Sequence, residues 1–118
     1  MARMEVGTQV NSGIALITAR GELDLAGAPH LDDAIEAASR ERGVEGIVVD
    51  LSGLEFMDSS GLRTIVQADR RVRARGLRFA LVRGGEPVHR VFEITRMTDR
   101  LSWVETPGDV LPGAEERT

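Results

Sequence analysis

The sequence predicts an α/β domain on a mixed β-sheet, with element order β-β-α-β-α-β-α-β. Three observations carry that prediction. The chain opens with two strand-like runs around a tight-turn tripeptide, and it then alternates β-branched runs with stretches of helical periodicity. Its most continuous apolar strand lies near the middle. Alternating strands and helices force crossovers, hence a parallel portion, whereas the opening hairpin is antiparallel.

The hairpin joins Met4 to Val10 with Ile14 to Arg20 across Asn11-Ser12-Gly13, residues that tolerate positive φ. Gly21-Glu22-Leu23-Asp24 follows and ends the second strand. Pro29 suits the first turn of a helix, where its missing N–H costs nothing. Leu31, Ala34, Ile35 and Ala38 then recur at helical spacing, with Asp32, Asp33 and Glu36 turned outward, and Gly43 supplies a left-handed stop. Gly46 to Leu51 is short and apolar in its middle, the pattern of a strand buried on both faces or central in its sheet.

After a loop over Ser52 to Met57, a second helix begins near Ser59, turns Leu62, Ile65, Val66 and Val72 inward, and ends at Gly76. Leu77 to Arg83 reads as a strand and Gly84-Gly85 as a turn. A third helix starts at Pro87 and shows Val88, Val91, Phe92 and Met97 on one side. Leu101 to Glu105 reads as an edge strand anchored by Trp103. Residues 1–106 thus form the domain, and the acidic, Pro- and Gly-containing tail 107–118 is expected to be flexible.

At 118 residues the chain fits one domain, since single cores take about 100 to 200 residues. It has no cysteine, which excludes disulfides and thiolate metal sites and makes a reducing, cytoplasmic setting the simplest reading. Its two histidines, His30 and His89, lack ligand spacing, so no metal and no cofactor is expected. A net charge of −4 argues against nucleic acid. Arg70, Arg71, Arg73 and Arg75 form a basic run that helical spacing spreads around a cylinder, which reads as a solvated face. No apolar stretch approaches the roughly 20 residues of a membrane span, and the first residues lack the apolar core of a signal peptide.

The most informative stretch is Phe56-Met57-Asp58-Ser59-Ser60-Gly61, between the central strand and the second helix. Sites in open α/β sheets favour this end, outside the carboxyl ends of the strands. Either serine could cap the helix, a contribution of about 1 kcal/mol. Alternatively one hydroxyl is exposed on a rigid helix start and open to a kinase. A phosphoserine there adds about −1.5 to −2 charges, which a helix N-terminus tolerates. Asp24 could end a strand or cap the first helix, although Ala26, Gly27 and Ala28 offer that helix no side-chain cap. Asp58 could act on the helix dipole, Gly61 could serve packing, and Arg63 could be merely solvated. Phe56 and Met57 are expected in the core.

Gly-Glu-Leu-Asp at 21–24, followed by a strand and then Phe-Met-Asp-Ser-Ser-Gly at 56–61, resembles the STAS domain family, and within it the bacterial anti-sigma factor antagonists. The resemblance covers about residues 4 to 105 and agrees with the predicted element order. It implies that Ser59 is phosphorylated. It also implies a partner, an anti-sigma factor with serine kinase activity, that binds the unmodified protein and so frees a sigma factor. The kinase releases the antagonist by modifying it with ATP, and a PP2C-type phosphatase restores it. Asp24 and Asp58 would flank the modified serine, and Ser59, Ser60, Gly61, Leu62 and Arg63 would contribute to the docking face. STAS modules also serve other assemblies, such as stress-signalling complexes and lipid-transport ABC complexes.

Two readings from other classes fare worse. A hydrolase elbow is written Gly-x-Ser-x-Gly, but Met57 holds the first glycine position and neither histidine is placed beside Ser59, so no catalytic residue is expected. A phosphate-binding loop needs Gly-Lys, and the chain has no lysine.

Overall fold

The structure is a computed structural model, and it describes residues 3–108. The tail expected over 107–118 lies, from residue 109 onward, outside the described residues. Five strands form one sheet in the order β1-β2-β3-β4-β5: β1 Glu5–Asn11, β2 Ile14–Leu23, β3 Gly46–Met57, β4 Arg78–Val82 and β5 Trp103–Val104. The hairpin β1–β2 is antiparallel, and every later pairing is parallel. Three helices connect the parallel strands, α1 Ala28–Ser39, α2 Ser59–Ala74 and α3 Glu86–Ile94, with a 3-10 turn at Thr98–Arg100 before β5.

Strand alternation divides the sheet into two faces. Ala15, Ile17, Ala19, Ile47, Val49, Leu51, Phe79 and Leu81 point to one face and share a core with Leu31 and Ile35 of α1, Ile65 and Val72 of α2, and Phe92 of α3. Val48, Ala80, Val82 and Val104 form a smaller cluster on the other face with Ile14 and Leu16. β3 is therefore apolar on both faces, which explains its continuous run.

The arginine run is not simply solvated. Arg71 donates to Asp32 at 2.7 Å, and Arg75 donates to Glu36 at 2.8 Å and to Ser39, tying α2 to α1. Arg73 donates to the buried Asp69 at 2.7 Å, to the Phe79 carbonyl and to Ser102 Oγ, tying α2 to the far sheet edge. Only a tertiary neighbour reveals such partners, since the spacing within the run is uninformative.

Several boundaries move for physical reasons. Ser52 to Met57 is no loop: β3 continues to Met57 because β2 also continues, through Gly21, Glu22 and Leu23. Two register shifts absorb the turn-prone residues. Gly21 sits at φ +93°, where a side chain would collide with the Arg3 carbonyl. Gly43 is not the stop of α1, which ends at Ser39 with Arg40 as its cap. Gly76 does stop α2: its N–H reaches Arg73 O and the Leu77 N–H reaches Val72 O, the paired bonds of a left-handed helix stop. Met97 lies beyond α3, and a left-handed Arg96 returns it to the core. β5 is two residues long rather than five.

Candidate functional site

The candidate site grows from the carboxyl ends of β2 and β3. Their register sets Glu22 beside Phe56 and Leu23 beside Met57, so the two motifs of the sequence lie next to each other. The Asp58 N–H then donates to the Leu23 carbonyl at 3.3 Å, closing the ladder where α2 begins.

Asp58, not Ser59 or Ser60, caps α2. Its extended backbone (φ −110°, ψ −171°) turns one carboxylate oxygen to accept from the Ser60 N–H at 2.9 Å and the Gly61 N–H at 3.1 Å. An anion on the positive end of the helix dipole adds to this. With Asp58 as cap, both serine hydroxyls are spared that task. Ser59 is the first helical residue, exposed, and its side chain engages in no hydrogen bond among the described residues. Ser60 is half-buried and faces the α1 side.

Gly61 is demanded by close approach. A Cβ there would lie 2.6 Å from the Leu23 carbonyl oxygen and 2.9 Å from Met57 Cγ. The first turn of α2 is thus pressed against the ends of both strands, and this contact fixes the height of Ser59 above the sheet.

Two shallow grooves flank the helix start. Ser59, Leu62, Val66, Arg70 and Met97 line the one toward the 3-10 turn, and Ser60, Leu25, Pro29 and Asp32 line the one toward α1. Arg63 lines both and makes no ion pair among the described residues. Leu62 belongs mainly to the core, with 9% of its surface exposed, so it shows the groove only an edge.

Asp24 begins the loop after β2, and its carboxylate accepts from the Gly27 N–H at 2.8 Å while its carbonyl accepts from Ala28. The loop is thereby held, although α1 has no side-chain cap of its own. Asp24 and His30 line a separate cavity of about 450 Å³ with Arg3, Met4 and Glu22. Asp24 and Ser59 share no pocket, and their segments are joined by the bond from the Asp58 N–H to the Leu23 carbonyl. His89 is buried under Trp103, at the other side of the molecule's helical layer.

Sequence reasoning missed two features. Phe56, expected in the core, is 46% exposed, and Leu25 is 76% exposed. Leu25, on the loop after β2, lines the groove toward α1, whereas Phe56, near the end of β3, lines neither groove. Register shifts break simple alternation in this part of the ladder, so periodicity could not place Phe56. Leu25, an apolar residue isolated between Asp24 and Ala26-Gly27, was the available signal.

Among the described residues no helix is long and apolar enough to cross a membrane, and no cluster of three or more His, Asp or Glu could hold a metal.

Compared with known proteins, residues 5–109 match the profile of the STAS domain. The chain is 30% identical over 90 residues to the anti-sigma-B factor antagonist of Listeria monocytogenes, covering 76% of this chain and 78% of that one. Its fold is similar to that of an anti-sigma factor antagonist from Mycobacterium paratuberculosis, with TM-score 0.77, 24% identity and coverage of 87% and 86%. It is also similar to the Bacillus cell fate determinant SpoIIAA in its phosphorylated form, with TM-score 0.64, 23% identity and coverage of 86% and 90%.

Proposed function

This chain belongs to the STAS domain family, and from that premise we propose that it is an anti-sigma factor antagonist whose binding is switched off by phosphorylation of Ser59. One observation carries the proposal: Ser59 is exposed and unbonded at a helix start whose cap is another residue, Asp58.

Unmodified, this surface offers a small neutral hydroxyl between two grooves, with Leu25 and Arg63 exposed along them. An anti-sigma factor docks there and lets go of its sigma factor. If that partner is a serine kinase, Ser59 Oγ attacks the γ-phosphorus of ATP and ADP leaves. The phosphoserine then carries about −1.5 to −2 charges. It cannot take the Ser60 and Gly61 N–H groups, because Asp58 already holds them. The new charge therefore stays outward, with Arg63 one turn along as its nearest counter-charge on the helix. The domain keeps its fold while the docked partner meets bulk and repulsion. A PP2C-type phosphatase would reset the switch, and the exchange would take place in the cytoplasm. Asp24, Asp58, Ser60, Gly61 and the edge of Leu62 complete the docking face in this reading, and the protein is a binding module rather than an enzyme.

The test is a pull-down from the native cell extract with and without ATP, using the parent, Ser59→Ala and Ser59→Asp. Ser59→Ala should retain a kinase-type anti-sigma factor and resist release by ATP. Ser59→Asp should lose at least about tenfold in affinity, equivalent to roughly 1.4 kcal/mol, with an unchanged circular dichroism spectrum. Equal binding of parent and Ser59→Asp would remove the charge mechanism. Capture of a transporter ATPase instead would assign the chain to a different STAS assembly.

A further inference from the structure

A second cavity, of about 330 Å³, lies at the carboxyl ends of β4 and β5 and is lined by Arg83, His89, Thr98, Trp103, Val104 and Glu105. It shares no lining residue with the grooves beside Ser59. Its size falls within the range of small-ligand pockets, about 300 to 1,000 Å³, and the carboxyl ends of parallel strands are where such pockets form.

Two polar atoms here lack what buried polar atoms ordinarily have. His89 is 6% exposed, and its Nδ1 is buried with no hydrogen-bond partner among the described residues. Thr98 Oγ1 is likewise buried and unpartnered. Leaving such a group unsatisfied costs about 1 to 3 kcal/mol, so two such atoms on residues that line one cavity point to an occupant that supplies the missing bonds. The rim carries opposite charges. Arg83 and Glu105 each follow one member of the register pair Val82 and Val104, yet no ion pair joins them. Among the described residues Arg83 makes only a stretched 3.4 Å contact with Glu86, which engages few of its five donors. Trp103 forms the apolar wall. Its indole is fixed by a 2.9 Å bond to the Thr98 carbonyl and by edge contacts to His89 and Phe92, each with ring centroids 5.0 Å apart.

We propose that this cavity binds a small zwitterion of the α-amino-acid type. Its carboxylate meets the Arg83 fork, for which guanidinium geometry is suited, and its ammonium meets Glu105. A polar side group of the ligand bonds with Thr98 and His89, and its carbon body lies against Trp103. A simple anion would leave Glu105 opposed to it, and a simple amine would leave Arg83 opposed. A zwitterion satisfies both.

Trp103 is the chain's single tryptophan, so its emission reports on the cavity directly. The full chain is titrated with each of the common free amino acids, and with the α-keto acid and the primary amine matching any that binds. At least one amino acid should give a saturable change with Kd at or below about 1 mM, and raise Tm. The keto acid and the amine should each bind roughly tenfold more weakly. Thr98→Val and Arg83→Leu should each weaken the amino acid by about tenfold, and Thr98→Ser, which keeps the hydroxyl and guards against mere misfolding, should restore it. A cavity holding water alone would give no saturable response up to about 10 mM, and that result overturns the proposal. Equal binding of the keto acid or the amine overturns the zwitterion, and unchanged affinity in both variants overturns the site. The readout needs no partner and leaves Ser59 untouched, so its outcome is separate from that of the phosphorylation test.

Discussion

The mouth of α2 and the corner between α3 and β5 both sit at the carboxyl ends of parallel strands, yet they are built in opposite ways. At the mouth, the Ser60 and Gly61 N–H groups share the Asp58 carboxylate, the Asp58 N–H has the Leu23 carbonyl, and Gly61 leaves no space against Leu23 and Met57. Among the described residues the Ser59 and Ser60 hydroxyls are both left over, and Ser59 is the exposed one of the two. At the corner, space remains and two buried polar atoms have no partner. The contrast separates two ways of making a site. Under the proposed switch, a surface that acquires a charge must already be satisfied underneath, so that the charge changes its exterior and not its fold. A cavity that works by acquiring a molecule must be left incomplete.

The comparison breaks most readily at Gly61. Gly61→Ala should gain about 1 kcal/mol of helix propensity, but the added Cβ would stand 2.6 Å from backbone that cannot yield. Overpacking of this kind costs about 1 to 3 kcal/mol, occasionally more, so the clash should win. A net loss of about 1 to 2 kcal/mol lowers Tm by roughly 4 to 10 °C in a domain of this size, and α2 should also lift from the strand ends. Thermal melting of the variant at the parent's temperature would show that the mouth is looser than the structure has it.

A smaller effect is expected at Asp58. Removing its carboxylate in Asp58→Ala leaves two N–H groups without their acceptor and should cost about 1 kcal/mol. Asp58→Asn keeps an acceptor oxygen and should recover most of it. Hydrogen exchange at Ser60 and Gly61 sharpens the comparison further: those amides should lose protection in Asp58→Ala while the amides of α3 do not change.

The smallest effect concerns the far end of α2, which Arg71 and Arg75 clamp to α1. Hydrogen bonding from Arg75, helped by the charges of Arg75, Arg71 and Arg40, holds the Glu36 carboxyl below its ordinary value of 4.5 against the opposing effect of burial. A depressed folded-state pKa means the stabilisation is present above that ordinary value and fades as pH falls through the lowered one. Glu36→Gln should therefore be slightly less stable than the parent at neutral pH, and the two melting curves should converge in acid. Because this pair is partly exposed, the difference should also shrink in high salt. A difference that persists unchanged in acid would trace to packing and not to the ion pair. Ser59 exposure should be the same in both, since the mouth is held by its own network.

The element order, the antiparallel opening, the double-sided burial of the central strand and the location of Ser59 at a helix start were all legible in the chain itself. They follow from local periodicity and turn chemistry, which act between residues close in sequence. Tertiary structure alone decided the rest. The continuation of β3 from Gly53 to Met57 depends on pairing with Arg20 to Leu23, some thirty residues earlier. The choice of Asp58 over either serine as cap depends on the backbone angle at which β3 hands over to α2. Exposure of Phe56, the partners of the arginine run, and the meeting of His89, Thr98 and Trp103 around one cavity arise only when separate elements pack. Periodicity assigns each residue a face of its own element, but which neighbour meets that face, and whether its polar atoms find partners there, is settled by contacts between elements distant in the chain.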